Sequence, residues 1–417
     1  MIKSIKKYNV WIFLGLFCML YNPPILPINS MHVVGVISIF FLVRQNDRFP
    51  TIVCSKRVFK LFCAFGFIFI YLFAVATLSE KGDIGIALYP IYFLIDVIPF
   101  GLVLKNYSDR KNLGVDDFIN LVLGCGMFQA VFAILALVFP AFQKFLIAFY
   151  IRYGYDELYA VLSAHRMYGF AGTLTFSTPV LQSVLAIIML VYYRQKGGKY
   201  ILGACLMCIS AIVNARTSMI VIIIGIMVII LLSKLSLKYK VGFLVIIPLV
   251  FVFGITIVIP ILSAITPSTI LWVTNGLEEI SNFFHGNVEE GYFSYLLDEQ
   301  KYVLPQGILN MLFGEGHAVQ GGAKLYGVSS DIGYVNDIWR GGIIYIILVY
   351  GYVLSKLRKM TKSGIEIIEF IGVFVSIVFL IVNIKGTMFS MNDLSNFVCI
   401  LYMFIHSSCY DKKKNIL

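Results

Sequence analysis

Twelve apolar stretches alternate with short polar gaps along this chain, near residues 9–21, 31–43, 58–78, 86–104, 118–139, 173–193, 200–213, 217–232, 241–263, 337–354, 366–382 and 394–409. The long ones approach the roughly 20 residues a helix needs to cross about 30 Å of hydrocarbon. The pattern predicts an all-α fold, a polytopic membrane helical bundle of about 12 transmembrane helices filling 1–417 as a single domain. Two stretches need a closer look. Lys199 and Lys234 lie 35 residues apart, about 52 Å as helix and too long for one span. Reading them as one span would also invert every later basic gap. The segment therefore predicts a hairpin of two short arms, about 14 and 16 residues, each roughly 21–24 Å long.

Composition agrees with a membrane protein. With 59% hydrophobic and 13% charged residues, the chain is not an ordinary soluble protein. Its net charge of +11 is unevenly placed. Of 33 Lys and Arg, 24 fall in the odd-numbered gaps and their margins and nine in the even-numbered ones. Basic loops stay in the cytoplasm, so both termini are expected there, and the charge is an orientation signal, not a nucleic-acid footprint. The basic N-terminus before span 1 mimics a secretory signal. The segment after that span, Tyr21-Asn-Pro-Pro-Ile-Leu-Pro27, lacks a small-x-small cleavage site and implies a retained span.

All eight cysteines fall in spans or on the cytoplasmic side, which argues against a disulfide framework. Cys205-x-x-Cys208 reads as helix packing, not a metal site. The inner gaps are short; the longest, about 44–57, is too small for a nucleotide-binding domain built of βαβ units. Two gaps on the outer side stand apart, 140–172 and 264–336, the latter a large periplasmic loop between spans 9 and 10. It is acidic and rich in aromatics, and Val288–Val303 has the pattern of an amphipathic surface helix.

The candidate chemistry lies on that outer side. Arg216, at the hairpin tip in Asn214-Ala-Arg-Thr-Ser218, sits between arms too short for the bilayer. It is therefore recessed, facing a cavity or a bound anion, or else snorkels to the headgroups. Arg166 lies in Arg166-Met-Tyr-Gly169 just before span 6; Arg152, among surface tyrosines, is the weaker choice. Leu312-Phe-Gly-Glu-Gly-His-Ala-Val-Gln-Gly-Gly322 has glycines that can form an anion-binding nest. His317, Asp331 and Asp337 are titratable groups able to act as a general base, unless His317 is a solvated loop histidine. Arg340 is a third cationic contact, or the partner of Asp337 in an i,i+3 ion pair. Asp96 in span 4 and Lys385 at the outer end of span 11 are charges at membrane depth, though Asp96 can simply pair with a neighbouring helix. Tyr150, Tyr153, Tyr155, Tyr159, Tyr168, Tyr292 and Tyr295 suit sugar stacking or an interfacial belt. No zincin, nucleophile-elbow or Walker pattern is present, and no metal or cofactor is expected. Arginine forks suit phosphate oxygens, so a membrane-embedded diphosphate substrate fits these groups together.

In topology, and in the three motifs Arg166–Gly169, Asn214–Ser218 and Asp331-Ile-Gly-Tyr leading to Gly342, the chain resembles the O-antigen polymerase (Wzy-type) family of bacterial inner membranes, relatives of the O-antigen ligases. The resemblance implies glycosyl transfer on the periplasmic face between undecaprenyl-diphosphate-linked oligosaccharides, in lipopolysaccharide O-antigen biosynthesis. By that likeness Arg166 and Arg216, with Arg340, bind the diphosphate, and His317 or Asp331 deprotonates the acceptor. Implied partners are the lipid-linked oligosaccharides, membrane lipids and a chain-length regulator protein, with no nucleic acid. A ligase acting on lipid A core, and a lipid-linked oligosaccharide flippase or other transporter, are the competing readings.

Overall fold

A computed structural model describes residues 7–25, 28–44, 56–152, 166–173, 176–232, 271, 274–276, 278–279, 281–282, 285, 298–319, 329–390 and 392–406. Among these, every regular element is helical. Four helices are long and apolar enough to cross a membrane: α3 (Lys56–Leu78), the helical run α4 (Ile84–Arg110), α5 (Val115–Val138) and α11 (Gly333–Met360). Shorter apolar helices are α1 (Val10–Tyr21), α2 (Ser30–Arg44), α7 (Ser177–Lys196), α8 (Lys199–Asn214), α9 (Thr217–Leu232) and α13 (Asp393–His406). With α12 (Glu366–Val382), they match eleven of the apolar stretches to within a few residues, apart from α4, which ends six residues later, and α11, which runs further at both ends. Span 9, at 241–263, lies outside the described residues, as do Tyr153, Tyr155, Tyr159, Tyr292, Tyr295 and most of the expected surface helix at 288–303.

The chain divides into two compact units. The first holds 1–125, 298–360 and 379–417; the second holds 126–297 and 361–378.

In the first unit, α11 is broken rather than straight. Gly342 has φ 66° and ψ −169°, so the helix ladder is interrupted five residues into the apolar stretch. The short helix α10 (Ile308–Phe313) packs into the break. The backbone groups around it are satisfied by the fold: the Glu315 N–H donates to the Trp339 carbonyl at 2.8 Å, and the Tyr71 hydroxyl donates to the Gly341 carbonyl at 2.7 Å. Irregular backbone at membrane depth is tolerated only with such partners.

A second irregularity sits in α4, where Phe93–Val97 forms a π-helical turn. It carries Asp96, fully buried, and the carboxylate meets the His32 ring of α2 at 2.6 Å. The expected pairing of Asp96 with a neighbouring helix is what is observed.

The second unit contains a helix not anticipated from the pattern, α6 (Pro140–Arg152), in the 140–172 gap. Pro140 opens it, where the missing N–H costs nothing. Leu146 and Tyr150, at i and i+4, are buried on one face against Ala136, Leu137, Met167 and Val213. Tyr150 is therefore a core residue and not a sugar platform. Its hydroxyl lies 2.7 Å from the Gly169 carbonyl and 2.9 Å from that of Ala171, so one proton holds the turn before α7. Tyr168 is buried too, which removes it from the stacking set. The α8–α9 hairpin is present as expected: α8 ends at Asn214, Ala215 is extended at φ −154°, and α9 starts at Thr217.

Candidate functional site

The second unit joins the two segments that carry Arg166 and Arg216. Asn214, last residue of α8, donates through its side-chain amide to the Met167 carbonyl and to Ser210, both at 2.7 Å. Arg166 precedes Met167 by one residue, and Arg216 lies two residues beyond Asn214. The amide thus stitches the two motifs together at the hairpin tip. From the other side, Gln129 of α5 accepts from the Phe170 N–H at 3.2 Å and donates to the Tyr168 carbonyl. Gly169, at φ 58°, takes the left-handed turn this requires, with no room for a Cβ beside Gln129 and Ala133.

Arg166 donates to the Tyr168 hydroxyl at 3.2 Å. Burial pushes that phenol above its usual range, with Arg166 pulling the other way. The ring stays neutral and acts as a fixed hydrogen-bonding post for the guanidinium. Arg216 is partly buried and its Nη1 sits 2.5 Å from Glu279 Oε2. Gly276 permits this approach, because a Cβ there would come within 2.9 Å of the Arg216 side chain. The recessed-arginine expectation named a cavity or a bound anion; the anion in place is the Glu279 carboxylate, from the acidic 264–336 segment.

The remaining candidates belong to the first unit. His317 is 1% exposed, with its ring 5.1 Å from that of Trp339 and its Nδ1 3.2 Å from the Glu315 carbonyl. The solvated-loop reading is overturned, because the loop folds under Trp339 and closes against the start of α11. Asn336 clamps this cap, accepting from the Val319 N–H and donating to the Ser330 and Ile332 carbonyls. Part of the glycine-rich loop is committed to the fold. The N–H groups of Gly314, Glu315 and Val319 are all taken by fold contacts, and 320–328 lie outside the described residues.

Asp331 is 38% exposed in its side chain and faces Lys385 at 3.5 Å. Asp337 is 0% exposed; it accepts from the Tyr350 hydroxyl at 2.5 Å and sits 3.4 Å from the Asn383 amide. Arg340 lies 3.6 Å from Asp337, so the i,i+3 pair is real. It belongs to a buried polar cluster beside the α11 break, where removing one partner would strand a charge.

Sequence reading gave no role to Gln129, Asn214, Asn383 or Glu279. For the first three a signal existed: a lone amide inside or at the end of an apolar stretch needs a partner. Glu279 carried none beyond its place in an acidic loop. No protein-family model, curated protein or solved structure matches this chain.

Proposed function

We propose that the chain is an O-antigen polymerase of the bacterial inner membrane, with twelve spans, cytoplasmic termini and its site on the periplasmic face. The growing glycan on undecaprenyl diphosphate is the donor and a single lipid-linked repeat unit the acceptor. An acceptor hydroxyl attacks the anomeric carbon, the bond from that carbon to the phosphate oxygen breaks, and lipid diphosphate leaves. The supporting observation is the Asn214 amide on the Met167 carbonyl, which gathers two arginine-bearing segments at a recessed hairpin tip. Fixed guanidinium groups there stabilise charge on the leaving oxygen without reorganising. Deletion of the gene is the test. A polymerase deletion leaves lipid A core bearing one repeat unit, whereas bare core identifies a ligase and sinks the proposal.

Glu279 holds Arg216 as a substrate phosphate would. Substrate must then displace it. Glu279→Gln should tighten binding of farnesyl diphosphate, a short lipid-diphosphate probe, by about tenfold, the effect of removing roughly 1.4 kcal/mol of competition. Weaker binding in that variant would make Glu279 a support of Arg216 and not its competitor.

Of the two candidate bases, Asp331 is the accessible one. Asp331→Asn should lower polymer yield about tenfold or more, while His317→Gln should lower the amount of folded protein and leave chain length unchanged. The reverse order would assign the base to His317.

A transporter reading draws on two observations, the α11 break at Gly342 and buried Asp96 in the π turn of α4. Broken helices with polar groups at depth are transporter features, and π turns recur at functional sites. Purified protein in liposomes separates the readings: elongation of the lipid-linked glycan supports the polymerase, and translocation without elongation supports the transporter.

A further inference from the structure

Away from the diphosphate-site arginines, the first unit contains a cleft lined from α3, α4, α11, the end of α12 and α13. Its walls are apolar and aromatic. Phe65 stacks on Phe93 with ring centroids 4.6 Å apart, Phe65 meets Tyr352 edge-on at 6.0 Å, and Phe389 lies further along. The α11 side presents Tyr352 and Lys356, one turn apart on the same face.

Both carry hydrogen-bonding capacity that the fold leaves unused. The Tyr352 hydroxyl is buried without a hydrogen-bond partner. Lys356 is 9% exposed, and its ammonium rests over the rings of Tyr352, at 4.4 Å, and Tyr402, at 5.1 Å. Among the described residues no carboxylate pairs with it. Lys60 and Lys359 instead lie near enough to repel it. A largely buried cation beside two like charges and an unsatisfied phenol is unfavourable, and an anion there would relieve both. Cation–π contact offsets part of that penalty but supplies no acceptor for the N–H groups.

We propose that this cleft binds an anionic membrane phospholipid, its headgroup phosphate accepting from Lys356 and Tyr352 and an acyl chain lying along the aromatic wall. The end that bears Lys356 is the basic one, with Arg358, Lys359 and Lys362 next in sequence. By the distribution of basic residues this end faces the cytoplasmic leaflet, where anionic headgroups attract such clusters. The site is independent of the diphosphate reading at the hairpin tip, and no step of glycan transfer passes through it.

Full-length protein in mixed micelles, titrated with phosphatidylglycerol or with phosphatidylcholine of the same chains and read by native mass spectrometry, tests it. Wild type should bind phosphatidylglycerol about tenfold more tightly than phosphatidylcholine, which has the same phosphate but brings its choline cation beside Lys356. Lys356→Met, which keeps the stem and removes the charge, should abolish that preference. Tyr352→Phe removes one donor to the phosphate and should weaken phosphatidylglycerol binding severalfold. Equal binding of the two lipids by wild type would overturn the proposal, as would release of bound lipid by inorganic phosphate alone, which would mark a soluble-anion site. Should Lys356→Met fail to fold, Tyr352→Phe decides the matter, and unchanged affinity for phosphatidylglycerol there rejects the site.

Discussion

Cells whose only copy of this protein carries Arg216→Ala should make lipopolysaccharide bearing a single repeat unit where wild type makes long chains. Removing one preorganised contact to a developing charge costs about 2.7–4 kcal/mol, or roughly 100- to 1,000-fold in rate. Because every added repeat requires the same step, a slowdown of that size removes the long chains. Arg216→Lys should also be impaired, since a point charge does not reproduce the bidentate fork. A structural explanation is separable. The Arg216–Glu279 pair is partly exposed on both sides, so its loss should change stability little, and membrane-fraction levels should match wild type. The exchange Arg216→Glu with Glu279→Arg rebuilds an ion pair without restoring the guanidinium to the hairpin tip; it should remain inactive. Wild-type chain lengths in Arg216→Ala would remove the site assignment. Cytosolic labelling of a cysteine at 216 would remove the topology beneath it.

The readability of this fold from its sequence tracked the range of the interactions involved. The start of α9 and both bounds of α12 coincide with those of their apolar stretches, because a helix flanked by charges ends where its apolar pattern ends. The hairpin at Ala215–Arg216 was legible for a similar reason: length and charge alternation admit one solution. Helix α6 was not, since its aromatics at 142, 145, 149 and 150 serve a surface belt as well as a buried face. Only the Tyr150 hydrogen bonds to Gly169 and Ala171 distinguish the two.

His317 shows the same limit at the candidate site. Nothing local foretells its burial, which depends on Trp339 packing 22 positions later in the chain. The α11 break was half visible: Gly341-Gly342 marks a weak point in a helix, but the φ of 66° at Gly342 is set by α10 arriving from the preceding loop. The arginines stand out by type and position; the Arg216 partner, Glu279, comes from a segment 63 residues away, whereas the Arg166 partner, Tyr168, is local.

That break yields the largest expected effect on folding. Gly342→Ala should leave little correctly folded protein in the membrane. At φ 66° and ψ −169° the backbone occupies a region essentially restricted to glycine, and forcing a side chain there costs of order 1–3 kcal/mol by itself. Sterics add to it. A Cβ at 342 would run into the Leu312 carbonyl and come within 2.5 Å of the Phe313 nitrogen. These are backbone atoms of α10, so no rotamer change relieves the clash. Either α10 withdraws, losing the Glu315–Trp339 and Tyr71–Gly341 hydrogen bonds, or α11 straightens and carries the Asp337–Tyr350–Asn383 cluster out of register. Each route adds about two lost buried hydrogen bonds at about 1–3 kcal/mol apiece, so the sum is about 3–9 kcal/mol, at the high end of losses for a point change. Gly351→Ala is the matched control. It lies in the same helix with nothing within 4 Å of an added Cβ, and should be neutral or stabilising by up to about 1 kcal/mol through helix propensity. Thermal unfolding of the two variants in detergent, beside wild type, reads the difference. Equal midpoints would mean that α11 runs through position 342 as ordinary helix, and the seat of α10 would then have to be sought elsewhere.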